Sequence, residues 1–322
     1  MHTRSSKSIT FLALAMLSLG CGDAHEAPSE THSETALYLG QEAPGIDPEP
    51  FAPGIVNTEA MELNGVVSPD GNEFFFTRAK AGLFVMQVSN KNDDGSWSEP
   101  KPVYTYPDRA PGLAVDMAYS PDGSKLYFLG RYDPAWQNAG GSSDIFVIER
   151  EVDGWSLAER LPAPLNLPDS DEWYPSVASD GSLYFASDRE GTLGGGDVWR
   201  AQMLPDGSFA EPVNLGAPIN TEHHEGDTYV SPDESWLVVT SRRPGGIGGG
   251  DLYVSFRQED GSWGEPKLLP EPINSELLDF CPMGTPDGHQ FFFSRRNGGD
   301  WSDADECNVY WVDFAAIDAL RN

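Results

Sequence analysis

"VVSPDGNEFFFTR", residues 66–78, sets a Ser-Pro-Asp-Gly turn between two apolar, β-rich runs. Such a turn is a hairpin signal, because Pro presets φ, Asp bonds nearby amides and Gly takes a left-handed step. The pattern returns as "AYSPDGSKLYFLGR" (118–131), "SVASDGSLYFASDR" (176–189), "YVSPDESWLVVTSRR" (229–243) and "MGTPDGHQFFFSRR" (283–296). The turn aspartates Asp70, Asp122, Asp180, Asp233 and Asp287 lie 52, 58, 53 and 54 residues apart.

Downstream of each turn comes a third β-rich run: "GLFVMQV", "DIFVIER", "DVWRAQM", "DLYVSF" and "NVYWVDF". Four units then add a turn and a fourth segment, as in "DGSWGEPKLLPEPIN". Four short antiparallel strands repeated every ~50 residues predict the blades of a β-propeller, each too thin to cover its own faces. The fifth unit stops after its third run, and its missing fourth strand stands at the other end of the chain. "EPFAPGIVN", Glu49 to Asn57, copies "EPVNLGAPIN", and Asn57, Asn220 and Asn274 each precede a turn aspartate by 13 residues. The expected fold is therefore all-β: a five-bladed propeller of four-stranded antiparallel blades, closed by an N-terminal strand that completes the last one. A sixth blade would have to hide in residues 22–48, which are too polar and too few.

The first twenty residues read as an export signal, with Arg4 and Lys7 ahead of the apolar run "ITFLALAMLSLG". That run is too short for a spanning helix, which needs ~20 residues. "LSLGCGD" resembles the lipobox of bacterial lipoproteins, with Cys21 as the lipidated residue and Ser18 where leucine is usual. Acyl chains on Cys21 would hold the protein at a membrane, periplasmic or on the outer surface of a bacterial envelope. Residues 21–40 are expected to form an acidic, flexible tether, and 41–322 the propeller.

The net charge is −31, and −33 once residues 1–20 are removed. Such a surface repels nucleic acid, which is excluded as a partner. The acid can serve solubility, attract cations or meet a basic partner.

The Ser-Pro-Asp-Gly turns, the "FASDR" strand end and the Gly-rich loops before "DVW" and "DLY" resemble the WD-like repeats of TolB-type propellers. The resemblance covers residues 49–322 and implies a scaffold that binds partners or ligands. It does not choose an activity, since propellers also carry hydrolases and lyases.

Eight residues before each turn aspartate stand Glu62, Ala114, Glu172, Glu225 and Asp279, with Asp116 two residues after Ala114 and Asp227 two after Glu225. These positions open the innermost strands and so surround one mouth of the central channel. Carboxylates crowded there must be hydrated, partly protonated or neutralised by a cation such as Ca2+, or they cap each blade structurally. No other cofactor is implied. "HHEGD" (223–227) offers two imidazoles beside acids, a transition-metal possibility weakened because neighbours on an extended segment face opposite ways.

One arginine ends each second strand (Arg78, Arg131, Arg189, Arg243 and Arg296), and Asp144, Asp197 and Asp251 open third strands. An Arg–Asp pair pinning each intervening loop is the expectation. Cys281 and Cys307 form a disulfide or stay thiols, the former suiting an exported chain. Trp136 and Trp301, in irregular loops, can anchor a partner or a sugar ring or else pack between blades.

"GGIGGGDLYV" and its counterpart "GTLGGGDVWR" are not phosphate cradles: no Lys-Ser/Thr and no helix follows, and the surroundings are acidic. They are expected to turn a hairpin loop and pack beside a neighbour. No G-x-S-x-G elbow occurs, and "NKNDDGSW" departs from the sialidase Asp-box. The leading expectation is a non-enzymatic envelope lipoprotein binding a protein or polymer through its loop face. The alternative is a carbohydrate-active enzyme using carboxylates at the mouth, with or without a metal.

Overall fold

The computed structural model describes residues 38–80, 82–106, 113–131, 142–297 and 306–321. The expected signal, Cys21, Trp136 and Trp301 lie outside the described residues.

Five antiparallel sheets account for the five repeats. Blade one joins β2 (Met61–Val67), β3 (Glu73–Lys80), β4 (Leu83–Asn90) and β5 (Lys101–Pro102) in order from the axis outward. Blade two joins β6 (Leu113–Tyr119), β7 (Lys125–Arg131), β8 (Asp144–Glu151) and β10 (Glu159–Arg160), with β9 (Gly154–Trp155) also on β8. Blade three runs β11 (Glu172–Val177), β12 (Leu183–Ser187), β13 (Asp197–Ala201) and β14 (Val213–Asn214). Blade four runs β15 (Glu225–Val230), β16 (Trp236–Ser241), β17 (Asp251–Phe256) and β18 (Lys267–Leu268). Blade five has β19 (Leu278–Gly284), β20 (Gln290–Arg296) and β21 (Cys307–Asp313), completed by β1 (Glu49–Pro50).

The closure is thus as the repeat offsets require: Glu49 faces Trp311 and Pro50 faces Tyr310. The Asn57 side chain clamps the same strand, accepting from the Val309 amide at 2.8 Å and donating to its carbonyl at 2.8 Å. Behind the clamp Phe51 packs against Phe74, Phe292 and Trp311 at ring separations of 4.7–5.0 Å. The apolar clusters lie between blades, so burial of these faces is what holds the ring together.

The hairpin turns show why their residues recur. In the first, the Ser68 hydroxyl donates to Asp70 at 2.5 Å, Asp70 accepts from the Asn72 amide at 3.1 Å, and Gly71 sits at φ 71°. In the fourth, Glu234 takes the glycine's place at φ 55°. Its carboxylate is held there by the Tyr184 hydroxyl and Arg200 at 2.6 and 2.7 Å.

Two details differ from the sequence reading. Tyr38 and Leu39 are buried, with Tyr38 6.4 Å from the Phe292 ring, so the folded body begins before residue 41. After β21 a short helix, α1 (Ala315–Asp318), follows Phe314, whose ring stacks on Trp236 at 4.5 Å. Its apolar residues extend the β pattern too smoothly to mark a helix in sequence.

Candidate functional site

Every innermost strand carries a bulge near its start, where the register against the second strand shifts. A bulge re-aims the side chains beside it. Here it divides the six acids grouped from sequence into two sets with different surroundings.

The outer set is Glu62, Glu172, Glu225 and Asp279, each wholly buried and paired with an arginine. Arg78 meets Glu62 at 2.7 Å, Arg189 meets Glu172 at 3.1 Å, Arg243 meets Glu225 at 3.4 Å and Arg295 meets Asp279 at 2.6 Å. Each carboxylate also accepts from backbone just upstream, namely the amides of Thr58, Leu167, Thr221 and Ser275. The arginines reach on to carbonyls of the incoming segment, at Ile55, Leu165, Ile219 and Ile273. Burial pushes the Glu172 and Asp279 carboxyls upward, against the lowering effect of hydroxyls and arginines. Of the alternatives for these four positions the arrangement suits the structural cap: arginine and backbone amides meet these charges.

The arginine–aspartate expectation is corrected. Asp197 and Asp251 instead accept the loop amides of Leu193 at 2.9 Å and Ile247 at 3.0 Å, while Asp144 meets Arg160 at 2.6 Å. Arg295, opposite Asp279, makes the blade-five pair; Arg296 lies opposite Leu278 and so faces the other way. Arg131, opposite Leu113, shares that second orientation.

The inner set comes from the position six residues before each turn aspartate: Asn64, Asp116, Tyr174, Asp227 and Cys281. Asn64, Asp116, Tyr174 and Cys281 are left-handed, at φ 51–57°, which aims their side chains inward. They meet across the axis. The Tyr174 hydroxyl donates to the Pro282 carbonyl at 2.7 Å, and the Asn64 carbonyl accepts from the Met117 amide at 2.6 Å. The Cys281 amide donates to Asp227 at 3.1 Å, and the Cys281 thiol to Asp116 at 3.6 Å. The sequence reading singled out Asp116 and Asp227 but missed Asn64, Tyr174 and Cys281. Counting six back from each turn aspartate would have found all five.

Neither inner carboxylate has an arginine ion pair among the described residues. Burial, then the nearby charge of Asp227, holds Asp116 well above the usual carboxylate range. Burial also raises Asp227 and lifts the Cys281 thiol far above its ordinary value. Above this layer a cavity of about 330 Å³ opens on the loop-bearing face, walled by Leu63, Val115, Leu129 and Phe280 and reached by Asp116, Asp227 and Arg131. A second cavity, about 320 Å³, opens at the opposite end among the turn prolines Pro69, Pro121, Pro232 and Pro286.

Of the two alternatives left open for Cys281 and Cys307, disulfide or thiols, the structure has thiols. They stand on β19 and β21, with β20 between them. Two strand spacings of ~4.8 Å exceed the ~7 Å Cα reach of a disulfide. Nor do the histidines gather around an ion position: His224 stacks on Trp173 at 5.8 Å with a 12° interplanar angle. Among the described residues no cluster of three or more His, Cys, Asp or Glu side chains has a metal-holding arrangement.

The glycine loops dock on the next blade. The Gly195 amide donates to the His223 carbonyl at 2.9 Å and the Gly249 amide to the Leu277 carbonyl at 2.8 Å. A Cβ on Gly194 would lie 1.6 Å from the His223 oxygen, and one on Gly248 2.0 Å from the Leu277 oxygen. Close approach to a neighbour, not to phosphate, is what requires glycine here.

No protein-family model and no curated protein matches this chain. Solved structures match its fold. An exo-β-1,3-galactanase from Clostridium thermocellum is similar with a TM-score of 0.51 and 10% identity, over 83% of this chain and 62% of that one. TolB from Acinetobacter baumannii (TM-score 0.46, 14% identity) matches 79% of this chain and 57% of its own length. The Podospora anserina α-L-arabinofuranosidase (0.48, 12%) matches 84% and 94%. This chain therefore spans little more than half of the TolB chain. Likeness at such identity concerns the scaffold alone: the molecule is a five-bladed β-propeller.

Proposed function

We propose that this propeller is a non-enzymatic recognition module, tethered to a bacterial cell envelope through lipid on Cys21, that binds a protein or envelope polymer through its loop-bearing face. The observation that supports the reading is the engagement of Glu62, Glu172, Glu225 and Asp279 in buried ion pairs that pin the start of their blade's innermost strand to the end of its second. Carboxylates so held serve the fold, and a feature repeated around a ring is scaffolding, since a reaction centre breaks symmetry. The test sets capture of a partner from envelope extract beside a panel of glycan substrates. Capture that is lost in the Trp136→Ala, Trp301→Ala double variant supports the reading, and turnover of any glycan by the wild type overturns it. Cys21→Ser should move the protein from the membrane to the soluble fraction.

A second reading, a carbohydrate-active enzyme, draws on one observation: Asp116 and Asp227, which have no arginine ion pair among the described residues, reach the same cavity. Glycoside hydrolysis uses two carboxyls ~5–9.5 Å apart, one with a raised pKa. Turnover abolished by Asp116→Asn or Asp227→Asn would establish it.

A further inference from the structure

The loop-face cavity breaks the five-fold repeat, and its chemistry is mixed. Asp116 is 7% exposed, and its side-chain hydrogen bond among the described residues is the long one from the Cys281 thiol to Oδ1. Asp227 reaches the same space. Arg131, on the cavity wall, donates to the Ser143 hydroxyl at 2.8 Å, but its buried Nε has no hydrogen-bond partner. A ligand carrying both an ammonium and a carboxylate would meet an opposite charge at each end on this lining. Leu63, Leu113, Val115 and Leu129 provide an apolar wall between them. A volume of about 330 Å³ lies at the small end of ligand cavities, which run ~300–1,000 Å³. The overall charge of −31 disfavours a free anion and is indifferent to a ligand of zero net charge.

Building on the recognition reading, we propose that this cavity binds a small zwitterion, an α-amino acid with an apolar side chain. The ammonium group faces Asp116 and Asp227, the carboxylate takes the planar fork of Arg131, and the side chain lies on the leucines and Val115.

Calorimetry on the intact protein with three probes tests each contact without a mutation. L-Leucine should bind, while leucinamide, lacking the carboxylate, and 4-methylpentanoate, lacking the ammonium, should each bind at least tenfold more weakly. Asp116→Asn and Arg131→Gln should each weaken leucine at least tenfold, with Glu259→Gln, on an exposed distant turn, as the unchanged control. No heat with millimolar leucine, or leucinamide binding as tightly as leucine, overturns the proposal. Partner capture that persists without leucine binding would sink this inference alone and leave the recognition reading standing.

Discussion

Four of the five junctions between blades are built alike, and the fifth, between blades one and two, is not. At the four, an asparagine (Asn57, Asn166, Asn220 or Asn274) bonds both backbone groups of one residue in the preceding blade's third strand. Beside it sits the buried carboxylate–arginine pair. At the fifth, Ala114 and Gly130 face each other where the acid and its partner would be. The Tyr106 ring fills that space, 6.0 Å from Phe146 and at 89° to it, with its hydroxyl on the Leu113 carbonyl at 2.7 Å. A Cβ on Gly130 would strike Phe146 at 2.4 Å and the Tyr106 oxygen at 2.8 Å, so the missing charges and the added aromatic form one substitution. The comparison teaches where to look for function. The repeated joints are polar, buried and complete, while the cavity bearing Asp116 and Arg131 opens beside the joint that lacks them.

The largest effect that would break this contrast lies in the repeated joints. Glu172→Ala strands Arg189, 6% exposed, and should lower unfolding free energy by about 3–5 kcal/mol in denaturant titration. A loss below about 1 kcal/mol would mean these pairs do not hold the ring. Gly248→Ala, which drives a methyl into the Leu277 carbonyl, should destabilise by about 1–3 kcal/mol.

pH separates Asp116 from the hairpin-turn aspartate Asp122, because their shifts have opposite signs. Asp116 is raised, so the native state keeps a proton that the unfolded chain has released. Its contribution to stability therefore declines as pH rises from the ordinary carboxylate value through the raised one, by at most about 1.4 kcal/mol per pH unit. Asp122, in a hairpin turn, is held down to about 2, first by the Ser120 hydroxyl and then by Ser124, so its contribution is lost as pH falls toward that value. Asp116→Asn should flatten the decline above the ordinary value and leave the acid limb intact, as read from thermal melts between pH 3 and ~8. An unchanged upper limb would refute the assignment. The smallest effect sharpens the comparison: Tyr106→Phe removes the hydroxyl's bond to the Leu113 carbonyl and should cost about 1 kcal/mol, well below Glu172→Ala.

The amino-acid sequence by itself determined the architecture. Turn chemistry in Ser-Pro-Asp-Gly, alternating strands and a repeat of ~50 residues are local or periodic signals, and they led to the blade count and the closing segment Glu49–Asn57 before any geometry was known. It also singled out the six acids that stand on the innermost strands. What it did not determine was which groups meet. Arg295 and Arg296 are adjacent in sequence, yet only their register against β19 sends one to Asp279 and the other to the opposite face. The bulge in each inner strand separates Glu225, paired with arginine, from Asp227, two residues on, which reaches the axis. Cys281 and Cys307 share an apolar cluster but stand two strands apart, too far for a bond that composition alone invited. Side-chain direction in a sheet reverses with every residue and shifts with every bulge, so pairing across blades is decided only when the ring has closed.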